Sequence, residues 1–174
     1  MTRVSRLLIA WLLICVAGGC GGPRAPVTVP GSVGATIPHG ALDALRSRWD
    51  GVKLGAGDSG NCAEGPDPTP LVSGDLNGDG TTDIALWVTI GNTSRLAALF
   101  ARVGGEYSVA EVVGPDESAR GRVELLRRGT LVRTPPGRFD PYLGLDTISL
   151  RACDGSRVAW VWMGSGFRPE PLVD

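Results

Sequence analysis

Hydrophobic and polar positions along the chain fall into three regimes. Residues 7–17 are an unbroken apolar run, and residues 21–38 are rich in Gly and Pro with no hydrophobic period. From 41 onward the apolar positions become periodic. Leu42, Leu45 and Trp49 stand at i, i+3 and i+7, which predicts one short amphipathic helix over 41–49, ended by Gly51 and Gly55. A stretch rich in Gly, Asp and Pro then runs to Pro70.

Strand follows strand after that. Residues 84–90 are apolar on both faces and too few for a helix, which predicts a central strand. Segments 96–103 and 106–113 flank Gly104-Gly105, a two-residue hairpin signal. Segments 123–126 and 131–133 flank a turn at 127–130, 146–153 and 157–163 are joined through Asp154-Gly155-Ser156, and 167–172 comes last. Short connections with no crossover helix imply antiparallel pairing. The expected fold is a single mainly β domain over 41–174, an antiparallel sheet of hairpin-connected strands with one N-terminal helix. The pattern leaves open whether the sheet is open, sandwiched or closed.

The N-terminus changes the picture next. Arg3 and Arg6 precede the apolar run, which is shorter than the ~20 residues a bilayer span needs. The run ends in Val16-Ala17-Gly18-Gly19-Cys20, which resembles a bacterial lipobox, although Ala17 stands where such signals usually carry Leu or Val. The resemblance implies that residues 1–19 are a signal peptide and that Cys20 is the lipidated first residue of the mature chain. Residues 20–40 then read as a tether, since they lack the apolar surface to fold. The expected location is a bacterial membrane, with the lipid-anchored domain facing the periplasm or the cell exterior. Four cysteines are present; Cys15 leaves with the signal and Cys20 takes the lipid. Cys62 and Cys153 remain, and an oxidising compartment makes a disulfide between them the expectation. Closing so long a loop is worth ~4–5 kcal/mol in the chain-entropy model.

The net charge of −1 becomes more negative once Arg3 and Arg6 are removed. No basic run exceeds Arg127-Arg128, so nucleic acid is not an expected partner. His39 is the only histidine and falls next to Pro38 in the tether segment, which leaves Ser-His-Asp and Cys-His catalysis without a base. Lys53 is the only lysine, and neither a G-x-S-x-G elbow nor a phosphate-binding loop occurs. The chain is therefore not expected to be an enzyme.

One segment carries ligand chemistry. Asp75-Leu76-Asn77-Gly78-Asp79-Gly80-Thr81-Thr82-Asp83 alternates oxygen-bearing side chains and then turns on a glycine. Calcium takes six to eight hard oxygens, and one tight loop can supply most of them. Asp75, Asn77, Asp79 and Asp83 would give side-chain oxygens, and Thr81 its carbonyl. The twelfth position is Leu86, not a bidentate Glu, and a strand follows, so neither an EF-hand nor a dockerin fits. The segment resembles the calcium loop of FG-GAP and VCBS-type repeats, where a strand runs into D-x-[DN]-x-D-G-x-x-D and out into an apolar strand. The resemblance covers about twenty residues and implies a propeller-blade-like calcium hairpin; no second copy is present to build a propeller. The competing reading is a plain turn held by Asx hydrogen bonds.

Trp160 and Trp162 share one face of a strand, and Trp87 could join them in a sugar-binding row. Core packing of these indoles, against Leu42, Leu45 and Trp49 of the helix, is the expected arrangement. The sequence thus favours a non-catalytic envelope protein with a structural calcium site and a surface partner. The alternative is a carbohydrate or peptidoglycan-binding module or, less favoured, a cell-wall hydrolase.

Overall fold

The computed structural model describes residues 27–28, 36–55, 71–115, 121–136, 143–152 and 154–173. Cys20, Cys62 and Cys153 lie outside the described residues, and so do the expected lipid attachment and disulfide. The elements in chain order are β1 (Val27–Thr28), β2 (Thr36–Ile37), α1 (His39–Arg48), β3 (Lys53–Leu54) and β4 (Leu71–Gly74). They continue with β5 (Asp83–Ile90), β6 (Thr93–Ala101), β7 (Tyr107–Val113), β8 (Gly121–Leu126), β9 (Thr147–Ala152), β10 (Arg157–Trp162) and β11 (Phe167–Leu172). The protein is mainly β, and among the described residues every strand pair is antiparallel and α1 is the single helix.

Two larger sheets and the helix form three layers, and β1 pairs β2 in a separate two-stranded ribbon. The first sheet runs β3-β5-β6-β7, with β4 pairing the same edge of β5 that β3 occupies further along. The second runs β11-β10-β9-β8. Strand alternation sends Ile84, Leu86 and Val88 of β5 to the helix side, where they pack with Ala41, Leu45, Ala97 and Leu99. Ala85 and Trp87 point the other way and meet Val123, Ile148, Leu150 and Trp160 of the second sheet. A first sheet covered on both faces is what makes β5 apolar on both sides.

The helix starts at Pro38 without a side-chain cap, and Arg46 and Arg48 in its last turn complement its dipole. It takes in His39, and the core extends N-terminal of residue 41, because Ile37 is fully buried in the helix-side cluster. At its far end the Trp49 ring lies 6.0 Å from the Arg48 guanidinium and 5.9 Å from that of Arg95. Arg95 in turn grips both oxygens of Glu111 at 3.0 Å, tying the helix end to β6 and β7.

Three expectations are corrected. Residues 131–133 form no strand of either sheet; β8 pairs with β9 instead, and only an isolated bridge is present at Leu131. Three residues are too few to win a ladder when a longer apolar strand is available. The β6–β7 turn is also longer than two residues: the Arg102 N–H donates to Glu106 O at 2.8 Å, leaving 103–105 as the loop, with Gly104 and Gly105 both at positive φ. Finally, Trp87 and Trp160 do pack in the core but not under the helix. Their parity places them between the sheets, 2% and 7% exposed, with both indole N–H groups lacking an acceptor.

Two irregularities shape the edges. Leu96 pairs with Val113 and Ala97 with Glu111, so Val112 is an extra residue, and Val112 and Val113 both enter the inter-sheet core. On β11, Pro169 stands opposite Trp160 and Pro171 opposite Val158.

Candidate functional site

The 75–83 segment is the connection between β4 and β5, and its own side chains wind it. The Asp75 carboxylate accepts the Gly78 N–H at 2.8 Å and the Gly80 N–H at 3.1 Å. Both glycines lie at φ +83, where a side chain would be strained, and a Cβ on Gly78 would also strike Leu145. Asn77 accepts the Asp79 N–H at 2.9 Å and donates its amide to Asp79 Oδ2 at 2.9 Å. Asp79 Oδ1 accepts the Thr81 N–H at 2.8 Å and also the Thr81 hydroxyl. Those Thr81 bonds, side chain first and backbone second, followed by the Asn77 amide, hold the Asp79 carboxyl below its usual range.

Asp83 behaves differently. It is fully buried, and its two oxygens accept the Leu76 N–H at 3.0 Å and the Ala101 N–H at 2.9 Å. Burial pushes its carboxyl up; the Ala101 and Leu76 amides oppose that, and the charge of Asp79 adds to it. The five residues named from sequence thus share one loop but divide into an outer set, Asp75, Asn77, Asp79 and Thr81, and an inner buttress, Asp83. Among the described residues no three acids, histidines or cysteines converge in a metal-holding cluster, because each carboxylate here turns to backbone amides. As donors they suit calcium: all are hard oxygens, and a carboxylate that accepts one amide keeps further lone pairs.

Sequence reasoning missed Asp146. Its carboxylate accepts the Asp75 N–H at 3.1 Å, the Arg128 N–H at 2.9 Å and Arg127 Nη1 at 3.0 Å. Burial raises this carboxyl, but the Arg128 and Asp75 amides and the Arg127 guanidinium outweigh that and hold it below its usual range. Asp146 thereby fastens the loop to the second sheet. One signal could have found it: like Asp83, it is an acid standing at the entrance of an apolar strand.

Beside the loop lies a cleft of about 1030 Å³. Asn77, Asp79 and Thr81 line one side, the end of β6 and the start of β7 a second, and Trp162 with the 164–166 turn a third. Trp162 is half-buried and braced by two rings, Phe100 at 4.6 Å and Phe167 at 5.0 Å between centroids. Such contacts are worth roughly 0.5–1.5 kcal/mol each beyond the area they bury. The row of three indoles considered from sequence does not form, since Trp87 and Trp160 are sealed between the sheets. Trp162 alone faces the cleft.

Comparison with protein-family models, with curated proteins and with solved structures yields no match. The functional reading therefore rests on these residues.

Proposed function

We propose that the chain is a non-catalytic, lipid-anchored protein of a bacterial cell envelope, whose β domain carries one structural calcium ion in the 75–83 loop. The observation that supports the calcium reading is the winding of this loop around its own oxygens. Asp75, Asn77 and Asp79 each fix a backbone amide while presenting hard donors from one short connection. Asp75, Asn77, Asp79, the Thr81 carbonyl and Asp83 would hold the ion, with water completing its shell. Its role is structural, because the loop joins two strands of the covered sheet and is fastened to the other sheet through Asp146.

Melting temperature with calcium and with chelator tests this reading. Binding to the folded form alone stabilises by RT ln(1 + [L]/Kd), or ~2.7 kcal/mol at a hundredfold excess over Kd. Calcium should raise the melting point and magnesium should do so poorly, since magnesium demands a smaller octahedral site. Identical melting in calcium and chelator would show that the loop is only a turn.

The anchor is tested by detergent partitioning of Cys20→Ala against the parent chain; equal partitioning sinks it. The proposed Cys62–Cys153 bond is tested by counting thiols on the denatured, unreduced protein, where two reactive thiols rule it out. The non-catalytic reading falls if the protein turns over a cell-wall glycan and loses that turnover on replacement of one carboxylate.

A further inference from the structure

We infer that the cleft between the 75–83 loop, β6–β7 and the β10–β11 turn binds a neutral glycan chain, with Trp162 as its stacking platform. Sugar rings present an apolar face of C–H groups and a rim of hydroxyls. A matching site needs a fixed aromatic surface beside mixed hydrogen-bonding groups. Trp162 supplies the surface, and its packing against Phe100 and Phe167 holds the ring in place before any ligand arrives. The rim is mixed as required: the hydroxyls of Ser108 and Ser165 can each donate and accept.

Charge argues for a neutral ligand. Arg48 and Arg102 face the cleft, and so do Asp79 and Glu111, so the formal charges cancel. A site for phosphate or for a polyanion would show an excess of cations. The size lies at the upper end of the roughly 300–1,000 Å³ of compact ligand pockets, and the cleft is open along its length. Several rings of a chain fit this space better than a single monosaccharide. The inference uses the cleft and Trp162 and does not require calcium.

Isothermal titration of the folded mature domain with neutral tetrasaccharides tests it, using β-1,4-N-acetylglucosamine, β-1,4-glucose, α-1,4-glucose and β-1,4-mannose, each in calcium and in chelator. At least one should bind with Kd between ~10 μM and ~1 mM. Trp162→Ala should weaken that binding about tenfold or more. Ser165→Trp, placed on an exposed turn at the cleft wall, should block it without touching the core, which keeps the test decisive if Trp162→Ala misfolds. Binding in either condition supports the inference, and the separate melting comparison reads the calcium reading on its own. No binding by any tetrasaccharide at ~10 mM, far above the affinity range named, overturns it. So does tighter binding of a heparin tetrasaccharide, or binding unaltered by both substitutions.

Discussion

Asp75 and Asp146 hold each other's backbones. The Asp146 N–H donates to Asp75 O at 3.2 Å, and the Asp75 N–H donates to the Asp146 carboxylate at 3.1 Å. The pair is 71 residues apart in sequence and joins the loop of one sheet to the entrance of the other. Asp146→Asn keeps the shape but turns one acceptor into a donor, facing either the Asp75 amide and Arg127 together or the Arg128 amide. The expected loss is about 1.5–3 kcal/mol of stability at neutral pH, the range for a charged hydrogen bond in a buried site, measured by urea denaturation. The sign with pH follows from a folded pKa below the unfolded value of ~3.9. Asp146 stabilises the fold above that value and loses its contribution as pH falls through the lower, folded one. Parent and variant should therefore converge in strong acid; a gap that stays constant with pH would refute the charge assignment.

Gly74 sits where the sheets come closest to that contact. A Cβ there would lie 2.5 Å from Asp146 Oδ2 and 2.9 Å from Leu125 Cδ2. Gly74→Ala should cost about 1–3 kcal/mol through overpacking. Combined with Asp146→Asn it should cost less than the two alone, because both act on the same contact. Strict additivity in thermal melts would show that the glycine acts elsewhere.

The two kinds of acid in the loop should separate experimentally. Asp83→Ala leaves the buried Leu76 N–H and the Ala101 N–H without their acceptor, at a cost of about 2–4 kcal/mol already in chelator, before any loss of calcium binding. Asp79→Ala should remove most of the calcium-induced rise in melting temperature and little else, since Asp79 is exposed and bonds only within the loop. The pH sign for Asp83 is opposite to that of Asp146. Its raised carboxyl favours folding most below the unfolded pKa, and that contribution is lost as pH rises through the folded one. Reversal of this pattern, with Asp79→Ala harmful in chelator and Asp83→Ala harmless, would exchange the two roles.

Local pattern reached as far as the strands and no further. The two-sided apolarity of 84–90 was readable because a central strand needs no polar face. The same pattern could not say which face met the helix and which met a second sheet, and so Trp87 and Trp160 were assigned the wrong neighbours. The loop residues 75–83 were readable because their spacing is local. Asp146 was not, because its partner lies in another sheet and no spacing encodes the contact. The two-residue strand β3 left no periodicity at all, and 131–133 had enough to suggest a strand that longer neighbours displaced.

The prolines of β11 have a consequence for crowding. Proline has no N–H to offer, so Pro169 and Pro171 deprive the outer margin of the second sheet of donors at two positions. A neighbouring chain cannot add itself there as a further strand without leaving carbonyls unmatched. Many copies gathered at high local density would thus meet one margin of the sandwich that resists growth into a continuous sheet.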